Sequence, residues 1–344
     1  MAGRYAPRPT RTTVRGGQLG VPAPVAGSGP RRNADGTGRT RVWAPPGPVD
    51  PGLVLGPLRR GPGDPTFRAM PDGSVWRACR TPAGPGTLRV VASRGGDVEG
   101  IAWGPGGEWL LDRLPELLGG ADRPDEFVPR HRIVAHTWRR RPGLRLTRTG
   151  LVMESLIPSV LEQKVTADEA YRAWRRLVRR FGEVAPGPAA DGRRVPSLHV
   201  MPRARDWVLV PSWEWHRAGV DDKRAATVLR AVRVAGRLEQ ASGLAPEAAR
   251  ARLELVAGVG PWTSAEVVQR SHGAADCVTV GDLHLPGVVG YALAGDRDVD
   301  DDGMLELLAP YAGQRHRACR LILLSGVAPA RRHPKMPRTD IGLL

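Results

Sequence analysis

The segment from Leu253 to Leu285 constrains the fold of this 344-residue chain more than any other part of its sequence. It contains the glycine pair Gly258 and Gly260 around Val259, flanked on both sides by apolar residues at helical spacing. This pattern predicts two helices joined by a tight hairpin, because glycine adopts backbone conformations that other residues avoid. The amides of such a hairpin, together with the dipole of the following helix, suit a phosphate group. We therefore expect Gly258, Val259 and Gly260 to bind one phosphate of a nucleic acid.

A single carboxylate, Asp282, follows the hairpin one helix later. An aspartate that precedes a helix is commonly an N-cap, and two glycines between helices are commonly an ordinary corner. Each feature alone therefore has a purely structural interpretation. Their fixed separation favours a functional one, in which the hairpin holds the nucleic-acid backbone while Asp282 acts on it.

The charge of the chain agrees with a polyanionic partner. The chain carries 51 Lys and Arg against 35 Asp and Glu, a formal net charge of +16. Because all but three of the basic residues are arginine, a general compositional bias also explains part of this excess. The three cysteines form no C-x-x-C pair, which argues against a structural zinc or an iron–sulfur cluster and predicts no metal site. Scattered thiols are typical of a reducing cytoplasm.

Composition separates the ends of the chain from its middle. Residues 1–45 carry eight Arg and one acid with no apolar periodicity, which predicts a disordered basic arm. This arm is either an electrostatic contact for DNA or a solvated tail. Residues 336–344 are predicted to be a C-terminal tail. No segment has the pattern of a secretory signal or the length of a membrane span, so we expect no membrane partner.

The middle of the chain changes character once. Residues 46–128 predict an α+β domain, in which turn signals separate strands expected at 54–60, 74–81 and 87–93. Residues 129–335 predict an all-α domain, because apolar residues recur at three- and four-residue spacing in successive segments.

The motifs LVAGVGPWTSAEVV and VGDLHL resemble the signature of the HhH-GPD superfamily of DNA glycosylases: a helix–hairpin–helix, a Gly/Pro-rich loop and an essential Asp. Within that superfamily the bacterial 3-methyladenine DNA glycosylases of type II are the most similar. Residues 156–166 resemble the family element from which a wedge enters the duplex, and residues 213–225 resemble the segment that precedes the hairpin helices. The resemblance extends over about residues 48–335.

This resemblance implies a TATA-binding-protein-like N-terminal domain, followed by a helix-hairpin-helix domain of two helical lobes. It makes Asp282 the catalytic residue, Gln163 or Lys164 the wedge, and Trp262 an aromatic wall of the base pocket. For Trp262, ordinary core packing is the alternative. Trp262 occupies the position of the lysine found in lyase-active relatives, which implies a monofunctional enzyme.

The implied activity is excision of alkylated bases from double-stranded DNA, with 3-methyladenine first and 7-methylguanine next. The resemblance implies a cytoplasmic monomer that requires no cofactor, although hairpin carbonyls of relatives hold a monovalent cation. Two positions depart from the pattern, since Glu266 and Gln314 stand where aromatic residues are expected. Two rival interpretations stay open: a non-catalytic DNA-binding module, and a glycosylase for oxidised or mismatched bases.

Overall fold

The structure is a computed structural model that describes residues 31–32, 38–188 and 197–330. Its N-terminal region is built on a six-stranded antiparallel sheet whose strands lie in the order β1-β2-β6-β5-β4-β3. The strands are β1 Arg31–Arg32, β2 Arg39–Trp43, β3 Phe67–Ala69, β4 Val75–Thr81, β5 Gly84–Ala92 and β6 Val98–Trp103.

Three short helices, α1 Pro51–Leu55, α2 Gly107–Asp112 and α3 Leu114–Leu117, accompany this sheet. Leucines and valines of the three helices pack with buried residues of the sheet in one apolar cluster. A second cluster contains Trp76 and Trp103, whose rings stack 5.3 Å apart, with Leu198 and Val200. The predicted α+β character of the N-terminal domain is therefore confirmed.

Two details of that prediction were wrong. Residues 39–43, placed in the disordered arm, form strand β2, which pairs with β6. The strand expected at 54–60 is instead helix α1 followed by a 3₁₀ turn at Gly56–Leu58. Asp50 starts this helix by accepting a hydrogen bond from the Leu53 amide at 3.1 Å, and a proline occupies the first helical position. The rest of the predicted arm and the tail at 336–344 lie outside the described residues.

The remainder of the described chain is almost entirely helical, apart from the two-stranded pair β7 Glu183–Val184 and β8 His199–Val200. The helices are α4 Arg132–Arg140, α5 Val152–Leu161, α6 Ala167–Phe181, α7 Ala204–Val208, α8 Ser212–Ala218, α9 Asp222–Arg233, α10 Ala235–Glu239, α11 Pro246–Glu254, α12 Pro261–Ser271, α13 Leu285–Ala294, α14 Asp301–Leu308 and α15 Arg315–Ser325. None of the helices among these residues is long and apolar enough to cross a membrane.

The helices share two apolar cores. The larger core surrounds α5, nine of whose ten residues are buried, and includes residues of α6, α9, α11 and α12. The smaller core joins α4, α13, α14 and α15. Cys319 is buried in the smaller helical core and Cys79 in the apolar cluster of the N-terminal sheet, and burial raises the pKa of both thiols to about 12.

The sheet and the larger helical core are tied together at the start of α5. Glu154 pairs with Arg77 at 2.9 Å and accepts a hydrogen bond from the Arg80 amide at 2.7 Å. Burial raises the pKa of Glu154, while the neighbouring arginines oppose that shift. A buried carboxylate that lost these partners would leave an uncompensated charge, so the pair fixes how the sheet meets the helices.

Candidate active site

The glycine hairpin connects α11 to α12 and packs against α9. Gly258 has φ +98°, and a Cβ at this position would lie 2.2 Å from Oγ1 of Thr227, so only glycine fits. Val259 is buried in the larger helical core and its amide donates to the Val256 carbonyl at 2.8 Å. Gly260 precedes α12 in an extended conformation with open space around it. The bond of the Val259 amide within the hairpin argues against its predicted phosphate contact, and for Gly258 and Gly260 that role stays a prediction.

Two side chains hold the hairpin from its carbonyl side. Arg230 donates to the Ala257 carbonyl at 2.7 Å. The Gln163 amide donates to the Gly258 carbonyl at 2.9 Å and to Oγ1 of Thr263 at 2.8 Å. These contacts fix the orientation of two hairpin carbonyls.

Gln163 and Lys164 form the turn between α5 and α6, beside the hairpin. The amide of Gln163 is occupied by the hairpin contacts, whereas the side chain of Lys164 is exposed. Lys164 has φ +54°, the one positive φ outside glycine among the described residues. Such left-handed backbone is costly for a residue with a Cβ and is frequent at functional sites. Of the two predicted wedge residues, the geometry favours Lys164.

Asp282 lies in the loop between α12 and α13, close to the start of α13. Its Oδ2 accepts the indole N–H of Trp262 at 3.0 Å. Its Oδ1 accepts the amides of His284 at 2.8 Å and Leu285 at 2.9 Å. The carboxylate thus holds the first amides of α13 and a side chain of α12 at the same time. This structural role does not exclude a functional one.

The turn that carries Asp282 is anchored by an acid from α14. The amide of Gly281, which has φ +83°, donates to Oδ2 of Asp301 at 2.9 Å. The neighbouring Asp300 has a different role and caps the start of α14 by accepting the Gly303 amide at 2.9 Å. No local signal linked Asp301 to Asp282, since the contact joins residues twenty positions apart.

Asp282 lines a cavity of about 240 Å³. The other walls come from α12, α13 and α15, from α1 and the turn after it, and from the segments between α4 and α5 and between α12 and α13. Its lining residues are Val54, Pro57, Arg145, Leu146, Thr147, Glu266, Gln269, Arg270, Val278, Thr279, Asp282, His284, Leu285, Val288, His316, Cys319, Arg320 and Leu323. Trp262 is not among them. The structure brings Trp262 to the carboxylate and not to the cavity wall.

Charged groups occupy the wall of this cavity where aromatic residues were expected. Glu266 pairs with Arg270 at 2.7 Å and accepts a hydrogen bond from Thr279 at 3.1 Å. Gln314, the second departure from the family pattern, lies outside the cavity and accepts a hydrogen bond from Arg317.

Two basic residues of α15 complete the wall. Burial lowers the pKa of Arg320 to about 10, with Arg270 acting in the same direction, and leaves Arg320 protonated near neutral pH. Burial lowers the pKa of His316 well below its usual range, again with nearby arginines contributing. His316 is therefore an uncharged imidazole at neutral pH. Among the described residues, no group of three or more His, Cys, Asp or Glu is arranged to hold a metal ion.

No protein-family model and no curated protein sequence matches the chain. Solved structures do match. The 3-methyladenine DNA glycosylase of Archaeoglobus fulgidus has a TM-score of 0.66 at 17% identity, over 83% of this chain and 98% of that one. The 8-oxoguanine glycosylase/lyase of Clostridium acetobutylicum, solved with double-stranded DNA containing cytosine opposite 8-oxoguanine, has a TM-score of 0.64 at 11% identity, over 86% of this chain and 96% of that one.

Both matches extend over nearly the whole of each glycosylase, and both include the N-terminal sheet as well as the helices. At these identities the comparison concerns the backbone and leaves side-chain chemistry to be argued from this chain. The chain has the fold of the helix-hairpin-helix (HhH-GPD) DNA glycosylases.

Proposed function

We propose that the chain is a monofunctional DNA glycosylase that hydrolyses the bond between a flipped-out base and its deoxyribose. One observation carries this proposal: Asp282 is fixed by three hydrogen bonds at a cavity of about 240 Å³, beside a hairpin suited to a phosphate. A cavity next to a fixed carboxylate is the arrangement that base excision requires, because the base must leave the stack before it can react.

In this reaction the C1′–N bond breaks and its electron pair stays with the base. The oxygen of a water molecule forms a new bond to C1′, and the water proton is accepted by Asp282 and passed on to solvent or the leaving base. Positive charge develops on the sugar as the bond breaks. A preorganised carboxylate stabilises that charge and orients the water.

The absence of an amine at position 262 supports hydrolysis over lyase chemistry. A lyase needs an amine nucleophile that attacks C1′ and forms a Schiff base. Trp262 has no nucleophilic amine, and its N–H is directed at Asp282. Borohydride should therefore trap no covalent adduct between the protein and damaged DNA, and a trapped adduct would contradict the monofunctional assignment.

The proposed partner is double-stranded DNA that contains a damaged base. The amides of Gly258 and Gly260 would hold one phosphate, whereas the amide of Val259 already donates to the Val256 carbonyl. Lys164 would enter the gap left by the base. We propose that the N-terminal sheet corresponds to the TATA-binding-protein-like domain of relatives, and that the two helical cores form two lobes that clamp a bent duplex.

The enzyme would act as a cytoplasmic monomer, associated with the nucleoid when bound to DNA. It would require no cofactor, and any monovalent cation would be held by hairpin carbonyls.

Two classes of base are candidates for the substrate. The sequence resemblance favours alkylated purines, 3-methyladenine first and 7-methylguanine next. The charged wall formed by Glu266, Arg270 and Arg320 is an observation in favour of the second class, oxidised or mismatched bases. The reaction proposed for Asp282 is the same for both classes.

The test is Asp282→Asn, assayed on duplexes with single defined lesions, with alkali used to reveal abasic sites. We expect base release to fall about 100- to 1,000-fold, since this is the usual loss when one preorganised charge-stabilising group is removed. Binding to abasic-site DNA should be retained. Asp302→Asn is the matched control, because Asp302 is an exposed acid on the neighbouring helix α14.

The two variants also separate the enzyme from a DNA-binding module. If Asp282→Asn and Asp302→Asn release bases as the unaltered protein does, Asp282 is not catalytic. If the unaltered protein binds DNA but releases no base from any lesion, the chain is a non-catalytic module.

A further inference from the structure

The cavity beside Asp282 carries an excess of positive charge. Three arginines line it, Arg145, Arg270 and Arg320, against the two carboxylates Asp282 and Glu266. The charge of Arg270 is neutralised locally by its ion pair with Glu266 at 2.7 Å. Arg320 forms no ion pair in the part of the chain that the structure describes, and its hydrogen bond goes to the backbone carbonyl of Leu53 at 3.2 Å. Its guanidinium keeps further donors for a ligand.

The rest of the lining adds nothing that would attract a cation. His316 is uncharged at neutral pH and faces the same arginines. Among the described residues that line the cavity there is no Phe, Tyr or Trp, so no electron-rich ring is available for a cation–π contact. Besides Asp282, the one carboxylate among the described residues that line the cavity is Glu266, which is already bound to Arg270 and Thr279.

We infer that this cavity accepts an uncharged base that bears carbonyl groups, and discriminates against cationic N-alkylated purines. The inference rests on the glycosylase reaction proposed above and concerns its substrate. A cationic base would be placed near Arg320 with no aromatic ring to offset the repulsion. Of the two carboxylates in the lining, Glu266 is paired with Arg270, and Asp282 serves the sugar in the proposed reaction. A carbonyl oxygen would instead accept a charge-assisted hydrogen bond from that guanidinium, which is about twice as strong as a neutral one.

The same guanidinium meets a chemical need that only an uncharged base creates. When the C1′–N bond of a cationic base breaks, the electron pair neutralises the base, which then leaves readily. When the base is uncharged, the same electron pair makes it an anion until a proton arrives. A fixed cation near the carbonyl groups stabilises that developing negative charge in the transition state. Arg320 thus compensates for the poorer leaving group.

The experiment uses the full chain and a matched set of duplexes in one sequence context. The uncharged lesions are 8-oxoguanine, hypoxanthine and uracil, and the cationic lesions are 7-methylguanine and 3-methyladenine. Base release is measured for each as the acceleration over spontaneous loss, because cationic purines depurinate by themselves. We expect at least one uncharged lesion to be accelerated more than either cationic lesion, by about tenfold or more, the ratio typical of one charge-assisted hydrogen bond.

The possible results separate the two proposals. Greater acceleration for the cationic lesions would overturn the inference and leave the glycosylase assignment intact. Release of no base from any duplex, with binding to abasic-site DNA retained, would overturn the assignment and the inference together.

Arg320→Gln and Arg320→Lys give an independent test. Loss of the charge in Arg320→Gln should reduce release of the uncharged base about tenfold or more and leave release of 7-methylguanine equal or faster. Arg320→Lys should recover part of the loss, because it keeps the charge. Equal losses on both classes of lesion would show a merely structural role and would contradict the inference. Affinity for abasic-site DNA, which lacks the base, checks that the variants are folded and should stay unchanged.

Discussion

The hairpin and the base cavity lie on either side of Asp282, but they are built in different ways. The hairpin is a local structure: Gly258, Val259 and Gly260 are consecutive, and its flanking helices adjoin it in the chain. The cavity is assembled from segments around residues 54–57, 145–147, 266–288 and 316–323. A local structure is encoded by conformational preferences that the sequence displays directly. A wall assembled from distant segments depends on how those segments pack.

Under the proposed function, this difference has a consequence for specificity. The hairpin would contact any DNA substrate in the same way, whereas the cavity would be specific for one class of base. The hairpin needs glycine and backbone amides, which contact any DNA sequence in the same way. The cavity chooses its base through side chains, and here Glu266 and Arg320 replace the aromatic surface that the family resemblance led us to expect. If the proposed function is correct, the hairpin would serve any DNA substrate, and the side chains of the cavity would select the base.

The two glycines of the hairpin test how local that structure is. We expect Gly258→Ala to lower the free energy of unfolding by about 2–4 kcal/mol, because its positive φ is strained for alanine and the new Cβ meets Thr227. Gly260→Ala is the matched control, since its backbone is extended and its surroundings are open. Its stability should stay within about 0.5 kcal/mol of the unaltered protein in denaturant unfolding.

Similar destabilisation by both substitutions would contradict the view that the hairpin is encoded locally, because its stability would then depend on more than the conformation of Gly258. If Gly260→Ala stays stable but binds abasic-site DNA less tightly, the loss reports the phosphate contact directly.

The next prediction concerns Trp262, which joins the two regions. Trp262→Phe keeps an aromatic ring but removes the N–H that donates to Asp282. We expect the single-turnover rate of base release to fall about tenfold, the lower end for a hydrogen bond to a charged group, since two backbone amides still hold the carboxylate. Affinity for lesion DNA should change little.

The control for Trp262→Phe is Trp213→Phe, because Trp213 is 65% exposed. If Trp262 served as an aromatic wall for the base, phenylalanine would preserve most of its role and the rate would hold. An unchanged rate would therefore indicate that Trp262 acts through its ring, as a wall for the base, and not through its hydrogen bond to Asp282.

The sequence predicted an α+β region followed by helices, and a glycine turn between two of those helices, because each depends on a local pattern. It did not predict that Asp301 would anchor Gly281, or that Arg320 would face the cavity, since both contacts cross between helices. The strand wrongly expected at 54–60 has a local cause instead. Its valine and leucines fit a strand, but Asp50 and Pro51 start a helix there.

The smallest expected effect is at Lys164, in the turn that lies against the hairpin. Lys164→Gly keeps the left-handed φ but removes the steric cost that this angle has for lysine. We therefore expect the free energy of unfolding to rise by about 0.5–1 kcal/mol. Base release should nevertheless slow, because glycine has no side chain to fill the gap left by a flipped base. Gln163→Ala is the control with the opposite sign, since it removes two hydrogen bonds to the hairpin region and should lower stability. Denaturant unfolding and single-turnover release, measured on the same preparations, check both. If Lys164→Gly is more stable and releases bases as fast as the unaltered protein, Lys164 is not the wedge. The left-handed backbone at this position would then have a structural role in the turn beside the hairpin.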